Sequence, residues 1–173
     1  MVSDPEGQTP NTADHMSDIR AADPKIEILH ERDVDVTMRD GARLKADVFR
    51  PHGGEKSGAE KVPAILNLGP YQKDKLWVVP ANLEEKQNAW MNWETINPEW
   101  WVPRGYAAVR IDGRGSGRSP GQCEPWSLAE AVDFHDAIEW AAAQPWCNGK
   151  VGLSGISYFA ISSGSSPTCS RRR

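Results

Sequence analysis

The stretch from Tyr106 to Ala160 constrains the fold more than any other part of the chain. It opens on an apolar run, Tyr106-Ala107-Ala108-Val109-Arg110-Ile111-Asp112, which has the length and composition of a buried strand. A glycine-rich loop follows, Gly113-Arg114-Gly115-Ser116-Gly117-Arg118-Ser119. Ser127-Leu128-Ala129-Glu130 is a capping box, with a serine to accept from the first turn of a helix and a glutamate to reach back. The helix that it starts puts Ala131, Phe134, Ile138 and Ala141 on one face, leaves Glu130, Asp133 and Asp136 to solvent, and ends at Pro145. Asn148-Gly149 is a turn signal, Lys150 to Ser154 a second strand, and Gly155-Ile156-Ser157 follows directly. Strand, loop, helix, turn, strand is a βαβ crossover, right-handed by rule, and it requires a parallel sheet.

Upstream, Val34-Asp35-Val36-Thr37-Met38 alternates apolar and polar side chains, Arg39-Asp40-Gly41 signals a turn, and alternation resumes at Leu44, Ala46 and Val48. That pattern predicts an antiparallel hairpin. Val62 to Leu68 predicts a buried strand, and residues 71–101 a long aromatic connection. The expected class is therefore α/β: a mostly parallel sheet with an N-terminal antiparallel hairpin at one edge. Residues 1–23, rich in Asp, Ser, Thr, Pro and Gly, read as a disordered leader, with order beginning near Ile26.

Composition serves mainly to exclude. A formal net charge of -4 gives nucleic acid and anionic membranes nothing to hold. No apolar run approaches the ~20 residues that span a bilayer. The start, M-V-S-D-P-E-G-Q, has no signal-type segment, so the default expectation is a cytoplasmic protein. Cys123, Cys147 and Cys169 are odd in number and lack paired spacing, which argues against a disulfide framework or metal site. No cofactor is expected.

Ser157 is the candidate nucleophile. A hydroxyl attacks a carbonyl only when it is exposed, has a base beside it, and has donors waiting for the oxyanion. A tight strand-to-helix turn gives exposure, and small neighbours permit the turn. Gly155 lies two residues before Ser157, but Phe159 stands where G-x-S-x-G has its last glycine. On these residues alone, a nucleophile and a serine that caps the next helix remain alternatives. The loop Asp112 to Ser119 lacks the lysine and serine ending of a phosphate-binding loop and the dinucleotide spacing, so it reads as a tight structural loop. The histidines, His15, His30, His52 and His135, all precede Ser157, and none of the residues after it is His, Asp or Glu. His135 falls on the amphipathic helix and reads as a surface residue.

Four segments in order carry a resemblance: R-D-G-A-R-L-K-A-D-V-F-R-P, L-N-L-G-P-Y-Q-K, W-V-P-R-G-Y-A-A-V-R-I-D-G-R-G-S-G-R-S, and D-A-I-E-W-A-A-A-Q-P-W-C-N-G-K-V-G-L-S-G-I-S-Y. From about Ile26 to Ser162 the chain resembles the cocaine-esterase-like (CocE/NonD) hydrolases, which are similar to the Xaa-Pro dipeptidyl-peptidase catalytic domain. The resemblance implies an α/β-hydrolase fold and acyl transfer from a small-molecule ester or amide to water. It implies Ser157 as nucleophile, with the N–H of Tyr158 and the hydroxyl of Tyr71 as oxyanion donors. The family form G-x-S-Y-x-G/A gives Ala160 the small position. The aromatic run Trp90 to Trp101 suits an acyl-pocket wall or plain core packing.

The same resemblance sets expectations about what the residues leave out. It implies an Asp and a His later in the chain. Residues 24–162 then read as the N-terminal part of a catalytic domain, and 163–173 as an aberrant Ser/Arg-rich tail. The polypeptide alone is expected to be inactive. An Xaa-Pro peptidase and a non-catalytic, partner-binding isoform are the rival readings.

Overall fold

Strands β1 (Ile28–Thr37) and β2 (Arg43–Pro51) form the expected hairpin, paired from Thr37 opposite Arg43 to Ile28 opposite Pro51 with a bulge in β1 between Glu31 and Val34. Its turn is closed by Met38 N–H on Ala42 O at 2.8 Å, with Gly41 at φ 86°, a conformation that glycine takes without penalty. The computed structural model describes residues 26–52, 61–75, 81–82, 88–92 and 94–164. The leader assigned to residues 1–23 and most of the tail lie outside them.

Three further strands complete the sheet: β3 (Val62–Gly69), β4 (Ala107–Asp112) and β5 (Cys147–Leu153). The order is β1-β2-β4-β3-β5. β3 is parallel to both β4 and β5, whereas β2 is antiparallel to both β1 and β4. The sheet is thus evenly mixed, not mostly parallel. The physical reason is that the hairpin is not merely appended: its reversed strand β2 pairs directly with the central β4. The crossover from β4 through helix α2 (Leu128–Ala143) to β5 steps over β3, so the two strands that it joins are not neighbours. Asn148-Gly149 is a bulge inside β5 and not a turn before it: Val62 pairs with Cys147, but Ala64 pairs with Val151.

Each face of the sheet has its own cover. On one, Val36, Leu44, Ala46, Val48, Leu66, Leu68, Val109 and Ile111 pack against Phe134, Ala137 and Ala141 of α2. Phe134 is 1% exposed, and truncating such a ring costs about 3–5 kcal/mol. On the other face, Phe49, Ile65 and Ala108 meet Ile96 and Val102, flanked by Trp90, Trp101 and Tyr106. Ile96 and Val102 bracket helix α1 (Pro98–Trp101). Trp90 and Trp101 are therefore packing residues, Trp100 is partly exposed beneath Arg104, and Trp93 lies outside the described residues.

Arg110 of β4 pins this second cover. Its guanidinium donates to Ile96 O at 2.6 and 3.0 Å and to Trp90 O at 2.5 Å, and burial pulls its pKa down to about 10. Among the described residues no helix is long and apolar enough to cross a membrane.

Candidate active site

β5 ends at Leu153, and Ser154 N–H still bonds Leu66 O of β3 at 3.1 Å. Helix α3 (Tyr158–Gly164) begins four residues later. Between them the chain must reverse sharply, and Ser157 takes the strain at φ 55°. A non-glycine residue there costs on the order of 1 kcal/mol and persists only where its surroundings enforce it. The carbonyl of Ser157 accepts from Ala160 and Ile161, both at 3.1 Å, so the helix is hung from this residue. Ser157 is exposed, and among the described residues its Oγ forms no hydrogen bond. The alternative of a side-chain cap is not realised.

Phe159 explains the missing glycine. Its ring is 3% exposed and lies against the end of β3. A Cβ on Gly69 would collide with the Phe159 ring, and one on Gly155 with Phe159 Cβ. The small residues that this packing needs are thus Gly69, at the end of β3, and Gly155, within the turn itself.

Tyr71 and Tyr158 are brought together beside this turn. Their ring centroids are 5.8 Å apart, edge to face, and Tyr71 meets Phe159 in the same manner at 5.5 Å. Tyr158 is 7% exposed, and its hydroxyl donates to Glu130 Oε1 at 2.6 Å. Burial, reinforced by that carboxylate, holds the phenol above the usual tyrosine range.

The glycine-rich loop before α2 is structural. Five of its N–H groups are engaged: Gly113 on Gly69 O, Gly115 on Pro120 O, Ser116 on Gly113 O, Ser119 on Ser116 O, and Arg118 on Asp112 Oδ2 at 2.9 Å. Asp112 is fully buried and also accepts from Lys73 N–H at 2.6 Å. A Cβ on Gly117 would strike that carboxylate. The loop therefore holds a carboxylate of its own where a phosphate would have to sit, and most of its amides are taken.

The acidic residues of α2 are not a solvated row, contrary to expectation. Asp133 is 3% exposed and takes two hydrogen bonds from Arg114, at 2.7 and 2.8 Å. Asp136 is gripped by Arg39 of the hairpin turn, whose hydrogen bonds offset the effect of burial and hold its carboxyl below the usual range. Glu130 bonds Tyr158. Each partner is distant in sequence, which is why helical periodicity alone misplaced them.

Sequence reasoning also missed a buried ion cluster beside the hairpin. Lys73 Nζ sits 2.8 Å from Asp33 and 2.9 Å from Asp47, and Asp47 also holds His30 Nε2 at 3.1 Å. Burial alone would lower the Lys73 pKa, but the two carboxylates more than offset it and the net shift is upward. The hydrogen bond from Lys73 holds Asp33 below its usual range, and burial holds His30 below its own despite Asp47. Asp33, at φ 53°, marks the β1 bulge, a feature no hydrophobic pattern signals. His30 is thus occupied on β1, at the opposite edge of the sheet from β5 and the Ser157 turn, or elbow, that follows it. His135 stands on α2 next to Arg39 and Asp136. Among the described residues no histidine hydrogen-bonds Ser157.

A mixed sheet with a strained serine between a parallel strand and a helix defines an α/β-hydrolase type of architecture. The sequence pattern of X-Pro dipeptidyl-peptidase (S15 family) matches residues 40–165, and the chain belongs to that family. A Mycobacterium bovis relative whose name describes a serine esterase is 36% identical over 149 residues, 84% of this chain and 23% of its own length. The cocaine esterase of a Rhodococcus species is 35% identical over 128 residues, 73% of this chain and 19% of that protein. The crystal structure of a CocE/NonD family hydrolase from Staphylococcus aureus superposes with a TM-score of 0.68 at 34% identity, over 79% of this chain and 25% of its own. The chain thus spans about a quarter of the length of the relatives that it matches.

Proposed function

We propose that this chain supplies the nucleophile and the oxyanion-binding side of a serine hydrolase that cleaves carboxylic ester or amide bonds of small molecules through an acyl-enzyme. The observation that carries the reading is Ser157 itself: exposed, at φ 55°, on the turn from β5 to α3. Ser157 Oγ attacks the carbonyl carbon as its proton passes to the general base; the C–O or C–N bond then breaks, the alcohol or amine leaves with that proton, and water hydrolyses the acyl-enzyme to the free acid and the regenerated serine. Tyr158 N–H and Tyr71 hydroxyl receive the charge that develops on the carbonyl oxygen. As the first residue of α3, Tyr158 has an N–H with no acceptor inside the helix, so it is available to substrate. Tyr71 approaches from the end of β3, its ring resting on Tyr158 and Phe159.

The general base and its acid partner come, on this reading, from the part of the relatives' length that the chain does not span. The 173-residue polypeptide is then inactive, or nearly so, on its own. An Xaa-Pro peptidase specificity is the second reading, favoured by the family match over residues 40–165.

The test is a chimera in which residues 26–162 replace the matching segment of the Staphylococcus aureus hydrolase. It should hydrolyse p-nitrophenyl acetate and lose that activity in Ser157→Ala. Faster turnover of an Xaa-Pro p-nitroanilide would favour the peptidase. A folded chimera that hydrolyses neither would overturn the proposal.

A further inference from the structure

The elbow is held from the side by a residue that the proposed chemistry does not use. Glu130 lies in the first turn of α2, and its own N–H bonds Ser127 Oγ at 3.1 Å. In a capping box its carboxylate would return to the N-cap N–H. Here the Ser127 N–H bonds Glu124 O at 3.3 Å, and Glu130 reaches one residue further. Its Oε2 accepts from Trp126 N–H at 2.8 Å, holding that residue at φ 57°. Its Oε1 accepts from the Tyr158 hydroxyl at 2.6 Å.

The Trp126 ring then stacks on the Tyr158 ring, with centroids 5.5 Å apart and planes inclined by 22°. Glu130, Trp126 and Tyr158 close a triangle, and Tyr71 packs edge-on against the same Tyr158 ring. Helix α3 has only 7 described residues, too few to hold its own geometry without outside anchors. Phe159 is one anchor. The tethered Tyr158 is the other, and it adjoins the strained serine.

We propose that Glu130 is a positioning residue for the oxyanion-binding end of the site. Through the Tyr158 side chain it fixes the peptide N–H that follows Ser157 and the ring on which Tyr71 rests. The inference rests on the reading of Tyr158 and Tyr71 as oxyanion donors.

The experiment uses the full chain with its tyrosines labelled with ¹⁵N. The sequence has 3 tyrosines, so Tyr71, Tyr106 and Tyr158 give separately assignable amide signals. Tyr106, packed against the core beside Phe49 and Val102, is the internal reference. Glu130→Ala should shift the Tyr158 amide and bring its phenol ionisation, followed by ultraviolet absorbance, down toward the ordinary tyrosine range. Glu130→Gln keeps an acceptor and should restore most of the amide position. Tyr158→Phe should reproduce the amide shift without altering α2, and it decides the matter if Glu130→Ala does not fold. In the chimera, Glu130→Ala should slow fluorophosphonate labelling of Ser157 about tenfold, with rescue by Glu130→Gln.

An unmoved Tyr158 amide in both Glu130→Ala and Tyr158→Phe would overturn the proposal. So would a shifted amide with an unchanged labelling rate. A chimera whose Ser157 never labels, while Tyr158 still answers to Glu130, would sink the hydrolase reading and with it the positioning role, leaving only a structural tether.

Discussion

Two turns leave parallel neighbours of β3 at the same end of the sheet, and they are built to opposite ends. The turn after β4 closes on itself. Asp112 fills its centre, most of its amides are engaged, and Gly117 is glycine because a side chain would displace the carboxylate. The turn after β5 leaves the Ser157 hydroxyl exposed and, among the described residues, without a hydrogen bond, and it places a serine rather than a glycine in the left-handed region. Both carry glycine in sequence, Gly113, Gly115 and Gly117 in the first and Gly155 in the second. What separates them is where the polar groups point: inward and satisfied after β4, outward and, among the described residues, unbonded after β5. Strain at Ser157 persists because buried Phe159 and the tethered Tyr158 anchor the start of α3.

The comparison should break most visibly at Gly155. In Gly155→Ala the new Cβ meets Phe159, so the elbow must open. Ester hydrolysis by the chimera should fall at least about 100-fold. The loop behaves otherwise. Asp112→Ala strands the N–H groups of Lys73 and Arg118 and should cost about 4 kcal/mol by chemical denaturation. The labelling rate of the molecules that remain folded should be unchanged. Lys73→Met is next, at about 3 kcal/mol, because it leaves Asp47, 3% exposed, without its cation.

The smallest effect is a pH dependence. The folded pKa of His30 lies below its ordinary 6.5, so the unfolded chain takes up the proton first as the pH falls. That contribution to stability is complete above pH 6.5 and declines as the pH drops through it. The depressed Asp33 adds a second loss at lower pH, when its own folded value is crossed. The melting temperature should fall by about 3 °C between pH 7 and pH 5, and His30→Gln should flatten that step.

Much of this was legible in the chain. Alternation fixed the hairpin, the apolar runs fixed β3 and β4, and Ser127 caps α2 as its position suggested. Gly155, two residues before the serine, pointed to a tight turn but left a capping serine open as the alternative. Contacts between distant segments were not legible, because neither periodicity nor spacing encodes them. Glu130 reaches Tyr158 across 28 residues, and Arg39 reaches Asp136 across 97. The pairing of β2 with β4, which makes the sheet mixed, is of the same kind. Local pattern says which face of a helix is apolar. It does not say that a carboxylate on the other face will meet an arginine from a hairpin turn.

The most direct test is to map the residue modified when the chimera reacts with a fluorophosphonate, by mass spectrometry of its peptides. The account predicts phosphonylation at Ser157, with Ser116 and Ser119 of the closed loop untouched. Modification of either loop serine, or a folded chimera with Ser157 unmodified, would contradict it.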